Sequence, residues 1–437
     1  MAELLDGVIT ETEIRWAANL MGLGADGFAP VDGDDSRMRA ILDFETGDYE
    51  ACPGSGKTTL LGAKLAILAA RWQNRQHGIC VLSHTNAARN EIGDKLNASA
   101  TAGSLMRYPH FVGTIHSFVN EFLATPWLRS NGYPVRVIDT QIALSQRRAK
   151  LDSNWLFAMK KRHLTDFALS YEKPDFTGGN KGALGVHTDF YQAMVVASRQ
   201  SSEEGYFCFN EMFVWANQLL DRYPGIAADL RRRFPIVFID EAQDNSEEQA
   251  AILHRIFRAG ANPSRMQRFG DSNQAIYAGN DQEGASTDPF PSGPTHKIPR
   301  SYRFPQAIAD IAKGLGVTPQ DLVGAGPSLG RVKSEAKPSA MFLFDDSSVE
   351  AVLPRYGAYL LEHFDEIELQ AGVFVAVAGV HEMDEHDRIP RAMGHYAPHY
   401  SAACAKKEAA PATLAQFLTR ARFEMEGGGN THVLING

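Results

Sequence analysis

One eight-residue segment constrains the fold of this 437-residue chain more than any other. Residues 51–58 read Ala-Cys-Pro-Gly-Ser-Gly-Lys-Thr and match the A/G-x-x-x-x-G-K-T pattern of a phosphate-binding loop. An extended stretch precedes the loop, and Leu60, Leu61, Leu65 and Leu68 follow it at helical spacing. This strand, loop and helix order is the context in which such a loop holds phosphate. The segment therefore predicts an α/β domain with a phosphate site.

The residue types in the loop explain the prediction. Glycines let successive backbone N–H groups turn towards a phosphate, and the helix that follows offers its positive N-terminus. Lys57 can reach the β and γ oxygens, and the Thr58 hydroxyl can ligate Mg²⁺. A glycine-rich structural turn is the alternative interpretation. The candidate nucleotide-binding residues are Ala51, Cys52, Pro53, Gly54, Ser55, Gly56, Lys57, Thr58 and Thr59.

An acidic pair follows a second apolar segment. Residues 236–239 read Ile-Val-Phe-Ile and lead directly into Asp240 and Glu241. A buried strand of this kind places both carboxylates at the carboxyl edge of the sheet, where α/β proteins bind ligands. Asp240 would hold Mg²⁺ directly or through water, and Glu241 would orient or deprotonate an attacking water. A solvated strand end or a helix cap is the alternative interpretation of such a pair.

Further short strands are predicted at residues 79–82 and 372–377, each bounded by polar or helix-forming segments. Alternation of strands with helices indicates a buried parallel sheet. The polar lead-in Asp48-Tyr49-Glu50 is unusual for a strand that should lie inside such a sheet.

Composition excludes several classes of protein. The chain has 43 Lys and Arg against 52 Asp and Glu, a net charge of −9, so nucleic-acid binding would depend on local basic patches. Its four cysteines have no C-x-x-C spacing, which argues against a zinc site and a disulfide framework. No export signal and no membrane-spanning apolar run is evident. We expect a cytoplasmic protein with no membrane association.

Five more sequence blocks follow the phosphate loop. They are Val81–Ala88, Gly113–Phe118, Asp240–Asp244, Gly270–Tyr277 and Ser301–Arg303. In this order the six blocks resemble those of the UvrD/Rep-like superfamily 1 DNA helicases. The resemblance is strong over about residues 37–303 and fades beyond about residue 380.

The resemblance implies roles for individual residues. Gln243 and Gln274 would sense the γ-phosphate and pass its state to a DNA-binding surface. Tyr302 would stack on the nucleotide base, and Arg303 would be an arginine finger that stabilises charge on the transferred phosphoryl group. The implied catalytic residues are Asp240, Glu241, Gln274 and Arg303.

The family's single-stranded DNA track suggests contacts that combine phosphate binding with base stacking. His84 stands where the family usually has Phe, and a core histidine is the alternative interpretation. A basic stretch at residues 146–163 fits either DNA contacts or a solvated helix face. The implied DNA-binding residues are His84, Thr85, Asn86, Thr114 and His116.

Together these features predict a P-loop NTPase with a RecA-like parallel sheet. Residues 1–125 and 201–330 would form the ATP-binding motor domain, 126–200 a mainly helical insertion, and 336–437 a partial second RecA-like domain. The predicted function is a DNA-dependent ATPase resembling a 3′–5′ helicase, with ATP and Mg²⁺, acting on single-stranded DNA or DNA with a single-stranded tail. The alternative is a nucleotide-gated regulatory subunit that acts with a protein partner, such as a nuclease or a repair or defence factor.

Two departures from the family pattern are evident. Arg37 stands where the family has a Gln that reads adenine, so the sequence does not predict how strictly adenine is preferred. The second motor domain is recognisable only in strands predicted at 341–344 and 372–377 and a helix near 349–363. Its later arginine motif is matched only superficially, by residues 418–422. We consider three explanations for the incomplete second motor domain: a truncated reading frame, a fragment of a longer protein, and a chain that a partner completes.

Overall fold

The computed structural model describes residues 9–97, 99, 101–179, 184–275, 288–326, 340–380 and 390–397. It divides into two compact units, Met1–Pro327 and Ser328–Gly437. The motif residues Ile276 and Tyr277 and the segment 418–422 lie outside the described residues.

The first unit is built on a six-stranded parallel sheet with the order β3-β2-β6-β7-β1-β8. The short strands β4 and β5 pair with each other, as do β9 and β10. In the described residues the strands are β1 (Gly47–Ala51), β2 (Ile79–Ser83), β3 (Phe111–Thr114), β4 (Val137–Ile138), β5 (Tyr206–Phe207), β6 (Ile236–Asp240), β7 (Arg265–Gly270), β8 (Thr295–Ile298), β9 (Arg300–Ser301) and β10 (Val323–Gly324).

Helices cover both faces of the sheet. Short 3₁₀ turns at Ala242–Asp244 and Ser272–Gln274 follow β6 and β7. The α-helices of the described first unit are α1 (Glu11–Leu20), α2 (Ser36–Leu42), α3 (Lys57–Arg71), α4 (Asn86–Asn97), α5 (Ile115–Val119), α6 (Thr125–Ser130), α7 (Thr140–Ala149), α8 (Ser153–Lys161), α9 (Asp189–Glu203), α10 (Glu211–Arg222), α11 (Gly225–Arg233), α12 (Glu247–Leu253) and α13 (Gln306–Lys313).

Strand β6 shows why the sheet is buried on both sides. Ile236 and Phe238 pack into one apolar cluster with α3, whereas Val237 and Ile239 face a second cluster on the opposite face. This alternation has the period of two that a pleated strand imposes. The predictions of a strand before the phosphate loop, a helix after it, and strands at 79–82 and 236–239 are confirmed.

The polar residues of β1 are buried because they have partners. Arg268 on β7 donates two hydrogen bonds of 2.7 Å to the carboxylate of Asp48. On the same side of the strand, Glu50 accepts a hydrogen bond of 2.5 Å from the Ser272 hydroxyl. A buried carboxylate is tolerated when charge and hydrogen bonds compensate its desolvation. The polar lead-in is therefore compatible with a central strand.

The segment between α6 and α10 has a small apolar core of its own, which includes Leu144, Met159, Phe190 and Met194. Its secondary structure is mainly helical, as predicted, although the domain boundaries themselves remain a prediction.

The basic residues of this segment are only partly available to a ligand. Arg147 is fully buried, and its guanidinium forms a two-bond ion pair with Glu211 at 2.5 and 2.7 Å. Arg148 and Lys150 pair with acidic side chains. The interpretation of Arg147 as part of a solvated or DNA-facing basic surface is therefore wrong.

The second unit contains α14 (Val352–His363), α15 (Glu366–Ala371) and α16 (Met393–Tyr396). The helix predicted near 349–363 is confirmed. The strands predicted at 341–344 and 372–377 are wrong: among the described residues neither segment pairs with a strand. Val373 and Val377 are each 88% exposed. A β-strand forms when a neighbour completes its hydrogen bonds, which an apolar sequence alone does not supply.

Candidate functional site

The phosphate loop joins β1 to α3, which begins at Lys57. Gly54 and Gly56 have φ values of +76° and +80°, which glycine adopts without strain. A Cβ atom at Gly54 would lie 2.4 Å from the Cβ of Arg303. The Tyr302 N–H donates a hydrogen bond of 2.9 Å to the Gly54 carbonyl. The loop and the Tyr302–Arg303 segment therefore contact each other directly.

A cavity of about 490 Å³ lies above the loop. It brings together most of the predicted nucleotide-binding residues. It also includes Glu91 and Lys95 of α4, which the sequence motifs do not identify. Lys95 donates a hydrogen bond of 3.2 Å to the Thr59 hydroxyl. The lining residues are Cys52, Pro53, Gly54, Ser55, Gly56, Lys57, Thr58, Thr59, Glu91, Lys95, Glu241, Gln274, Tyr302 and Arg303.

Sheet order explains this convergence. Strand β1 lies between β7 and β8, and β6 flanks β7. Because all these strands are parallel, their carboxyl ends share one edge of the sheet. The turns after β6 and β7 and the segment after β8 therefore meet the loop after β1. Ala51 is buried at the end of β1 and does not line the cavity.

A continuous hydrogen-bond chain crosses this edge. Lys57 Nζ lies 3.1 Å from Glu241 Oε2, and the same oxygen accepts a 2.8 Å hydrogen bond from Gln243 Nε2. Gln243 Oε1 in turn accepts the Asp271 backbone N–H at 3.0 Å. Gln274 Nε2 donates to Asp271 Oδ2 at 3.0 Å. The chain links the phosphate loop with both residues that resemble γ-phosphate sensors.

Asp240 is fully buried beneath this chain. Burial, followed by the nearby negative charge of Glu241, raises the pKa of its carboxyl group to about 7. Its Oδ1 accepts the Glu241 N–H, whereas its Oδ2 has no hydrogen-bond partner among the described residues. A buried carboxylate oxygen without a partner fits a cation or an ordered water. Asp240 and Thr58 therefore fit the requirements for holding Mg²⁺ together with phosphate oxygens.

The predicted DNA-binding residues lie at the other half of the same edge. His84, Thr85 and Asn86 follow β2, and Thr114 and His116 follow β3, which is the neighbour of β2. Burial and the proximity of His84 lower the pKa of His116, so its imidazole is mostly neutral at pH 7.

Two of these residues have local structural roles as well. The Thr114 hydroxyl caps α5 by accepting the Ser117 N–H, and the Thr85 hydroxyl accepts the Ala88 N–H. Thr85 and Asn86 are exposed beside them. Their side chains are placed on the surface, and their roles towards DNA remain predictions.

Phe209 extends this surface and was not identified from the sequence. Its ring is 41% exposed and lies edge-on to His116, with the ring centroids 5.8 Å apart. Since Phe209 belongs to no block of the resemblance, only the tertiary contact with His116 reveals it.

Arg37 lies next to the base-stacking candidate. Its guanidinium carbon is 4.7 Å from the Tyr302 ring centroid and 4.6 Å from that of Phe28. Its Nη1 donates to the Gly27 carbonyl at 2.9 Å. A buried guanidinium between two aromatic rings stabilises their orientation through cation–π attraction. Arg37 therefore supports Tyr302 from its buried side.

A parallel sheet with a glycine-rich loop between β1 and α3, and an acidic pair at the end of β6, defines a RecA-like P-loop nucleotide-binding domain. The family model of the UvrD/REP helicase N-terminal domain matches residues 49–281, more than half of the chain. The chain belongs to this helicase family.

Individual relatives agree with this assignment. The chain is 24% identical over 285 residues to the ATP-dependent DNA helicase UvrD1 of Mycobacterium leprae, a match that covers 60% of this chain and 36% of that protein. It is 26% identical over 285 residues to DNA helicase II of Salmonella typhimurium, covering 60% and 37%. A 75-residue match, 32% identical, covers 17% of this chain and 6% of an ATP-dependent helicase/nuclease subunit from Natranaerobius thermophilus. The matched region spans just over a third of the first two relatives.

Two further expectations concern the environment of the chain. Among the described residues, no helix is both long and apolar enough to cross a lipid bilayer. Cys52, Cys80 and Cys208 are free and buried, whereas Cys404 lies outside the described residues. A cytoplasmic location remains a prediction.

Proposed function

We propose that this chain is a DNA-dependent ATPase that couples ATP hydrolysis to 3′–5′ movement on single-stranded DNA and to duplex unwinding. The hydrogen-bond chain from Lys57 through Glu241 and Gln243 to Asp271 and Gln274 is the observation that carries the proposal. It joins the groups suited to bind, attack and sense a γ-phosphate. The relatives from Mycobacterium leprae and Mycobacterium bovis are named ATP-dependent DNA helicases, which supports ATP as the nucleotide.

Nucleotide binding begins at the loop. Backbone N–H groups of residues 54–58 and the N-terminus of α3 attract the β- and γ-phosphates, and Lys57 donates to their oxygens. The base stacks on Tyr302, which is 39% exposed. Asp240 and Thr58 would hold Mg²⁺, which neutralises charge on the phosphates when bound.

Hydrolysis depends on Glu241 and Arg303. Glu241 lines the cavity and orients the attacking water, from which it accepts a proton. Arg303 lines the same cavity and stabilises the negative charge that develops on the transferred phosphoryl group. Gln243 bonds to Glu241, so loss of the γ-phosphate changes the hydrogen bonds of both residues.

The central sheet connects the proposed nucleotide site to the predicted DNA-binding residues. Strand β6 ends at Asp240, directly before Glu241, and pairs with β2, which leads to His84, Thr85 and Asn86. Strand β3, the next in order, leads to Thr114 and His116. A single-stranded segment lying along this half of the edge would meet the imidazoles and the Phe209 ring, which offer flat surfaces for stacking.

Steady-state ATP hydrolysis by the 437-residue chain, measured with and without single-stranded DNA, tests the proposal. We expect DNA to stimulate turnover and Glu241→Gln to abolish it. Unwinding of duplexes with a 3′ or a 5′ tail then tests polarity, with displacement expected for the 3′ tail. Turnover that DNA leaves unchanged would contradict the proposal.

A second candidate is a nucleotide-gated DNA-binding subunit that acts with a nuclease or another repair or defence partner and does not unwind DNA alone. The match to a helicase/nuclease subunit favours it. ATP-dependent DNA binding without strand displacement supports this candidate, whereas displacement by the purified single chain contradicts it.

A further inference from the structure

A buried amide lies just outside the nucleotide cavity and contacts two carboxylates. Gln320 is 9% exposed, and its Nε2 donates to Asp271 Oδ1 at 3.0 Å. The same nitrogen is 3.5 Å from Glu50 Oε1 and from Ser272 Oγ. Both carboxylate residues are buried. The amide therefore supplies a neutral donor between two groups that repel each other.

The carboxylate of Asp271 connects Gln320 to the candidate phosphate sensor. Its Oδ1 accepts from Gln320 and from the Asn273 N–H, and its Oδ2 accepts from Gln274 Nε2. The two carboxylate oxygens of Asp271 therefore have different donors, and Gln274 bonds to one while Gln320 bonds to the other. Rotation of this carboxylate would move the acceptor to which the Gln274 amide is bonded.

The segment that carries Gln320 is attached to the same turn. Asn273 Nδ2 donates to the Thr318 carbonyl at 2.9 Å, and Asn273 Oδ1 accepts the Thr318 N–H at 2.9 Å. A Cβ atom at Gly316 would lie 3.1 Å from Asn273 Nδ2. Residues 316–320, which follow α13, therefore pack closely against the Ser272–Gln274 turn.

We propose that Gln320 is a positioning residue that holds Gln274 in its hydrolysis-competent orientation by fixing the carboxylate of Asp271. This inference rests on the proposed function and extends it to a residue outside the six sequence blocks. Gln320 does not line the cavity, and its 3.0 Å hydrogen bond to Asp271 is the contact through which it would affect Gln274. Its removal should slow hydrolysis and leave nucleotide affinity unchanged, because the phosphate loop keeps its contacts.

The Gln320→Met variant in the full chain tests this role, since methionine has a similar length and no amide. We expect kcat for DNA-stimulated ATP hydrolysis to fall roughly tenfold to a hundredfold, with KM for ATP within about twofold of wild type. Gln306→Met is the matched control. Gln306 anchors the following segment by accepting the Gly324 N–H at 2.8 Å, and it has no contact with Asp271.

A second variant uses pH to restore the donor. In Gln320→Glu, the new carboxyl group faces Asp271 and Glu50, the titratable groups within hydrogen-bond reach of position 320 in the described structure. Burial and these two negative charges raise its pKa. Below that pKa the protonated carboxyl again donates to Asp271. We expect its kcat relative to wild type to rise as the pH falls, while that of Gln320→Met stays flat.

Three results would overturn the role of Gln320. They are a wild-type kcat in Gln320→Met, an equal loss of kcat in Gln306→Met, and a rise in KM without a fall in kcat. A flat relative pH profile for Gln320→Glu would also contradict it. If the wild-type chain hydrolyses no ATP with DNA, the proposed function fails and this inference fails with it, which is a distinct outcome.

Discussion

The Lys57 ammonium lies 3.1 Å from a carboxylate oxygen of Glu241, so the group suited to bind phosphate is paired with the group suited to activate water. A γ-phosphate oxygen that approaches Lys57 competes with this carboxylate for the same donor. Glu241 keeps a second hydrogen bond to Gln243, so it remains oriented when Lys57 turns to phosphate. One ion pair would therefore link nucleotide binding to the preparation of Glu241, the candidate catalytic base.

Glu241→Gln should separate binding from hydrolysis. Glutamine retains the shape of the side chain but cannot accept the proton, and loss of a general base typically lowers kcat by about 10²–10⁴-fold. Titration with a fluorescent ATP analogue should give a Kd equal to or lower than that of the wild type, because a neutral glutamine competes less with phosphate for Lys57. Lys57→Ala, in contrast, should abolish detectable binding. Turnover at the wild-type rate in either variant would contradict the assignment of the site.

His116→Ala should weaken single-stranded DNA binding without changing its salt dependence. The imidazole is mostly neutral at pH 7 because burial and His84 lower its pKa, so we expect it to stack on a base and not to neutralise phosphate. Loss of one stacking group costs roughly 1–3 kcal/mol. Fluorescence anisotropy at several salt concentrations measures Kd for both proteins. In a plot of log Kd against log salt concentration, the line for His116→Ala should be parallel to the wild-type line and displaced to weaker binding.

His77→Ala is the control for this measurement, because His77 precedes β2 at the opposite edge of the sheet. It should leave the DNA affinity unchanged. A smaller salt slope in His116→Ala would indicate that this histidine contacts phosphate as a cation.

Arg147→Met should destabilise the protein strongly. It leaves the Glu211 carboxylate buried without its guanidinium partner, and breaking a buried ion pair typically costs about 3–5 kcal/mol. Arg148→Met removes the neighbouring arginine, whose pair with Asp166 is exposed, and should cost about 1 kcal/mol or less. Urea denaturation of the two variants measures the difference. Equal midpoints would show that the buried pair contributes no more than the surface pair.

Stability should decrease as the pH falls from about 6.5 to 4. The His110 Nδ1 accepts the Ile79 N–H at 3.0 Å, and burial lowers the pKa of His110 to about 4. In this pH window the unfolded chain binds a proton that the folded protein does not, so acidification favours unfolding. After allowance for the partly exposed ring, the contribution is roughly 1–2 kcal/mol.

The comparison for this effect is His110→Asn, which can still accept a hydrogen bond but does not titrate. Urea midpoints measured between pH 7 and 4 should fall less steeply in the variant than in the wild type. An identical pH slope in both proteins would assign the acid sensitivity to other groups.

Local sequence was sufficient to predict the strand, loop and helix around residues 51–58 and the strand that precedes Glu241. The Gly54-Ser55-Gly56-Lys57 turn has its own backbone requirements, and the strand ending in Asp240 is apolar throughout, so both are recognisable without tertiary information. The segment 372–377 is also an apolar run, and the strand predicted there does not form. A short apolar run indicates a buried segment, whereas strand formation also requires a neighbouring strand.

Contacts between residues that are far apart in the sequence depend on the tertiary structure. The pairings of Asp48 with Arg268, of Arg147 with Glu211 and of Gln320 with Asp271 all depend on which elements become neighbours. A single sequence indicates the period and the ends of many elements, because these reflect backbone preferences and side-chain polarity over a few residues. It leaves the order of strands in the sheet unspecified, since that order results from the burial of many surfaces at once. The candidate catalytic motifs were therefore recognisable in the sequence, whereas the hydrogen bonds that connect them depend on the folded sheet.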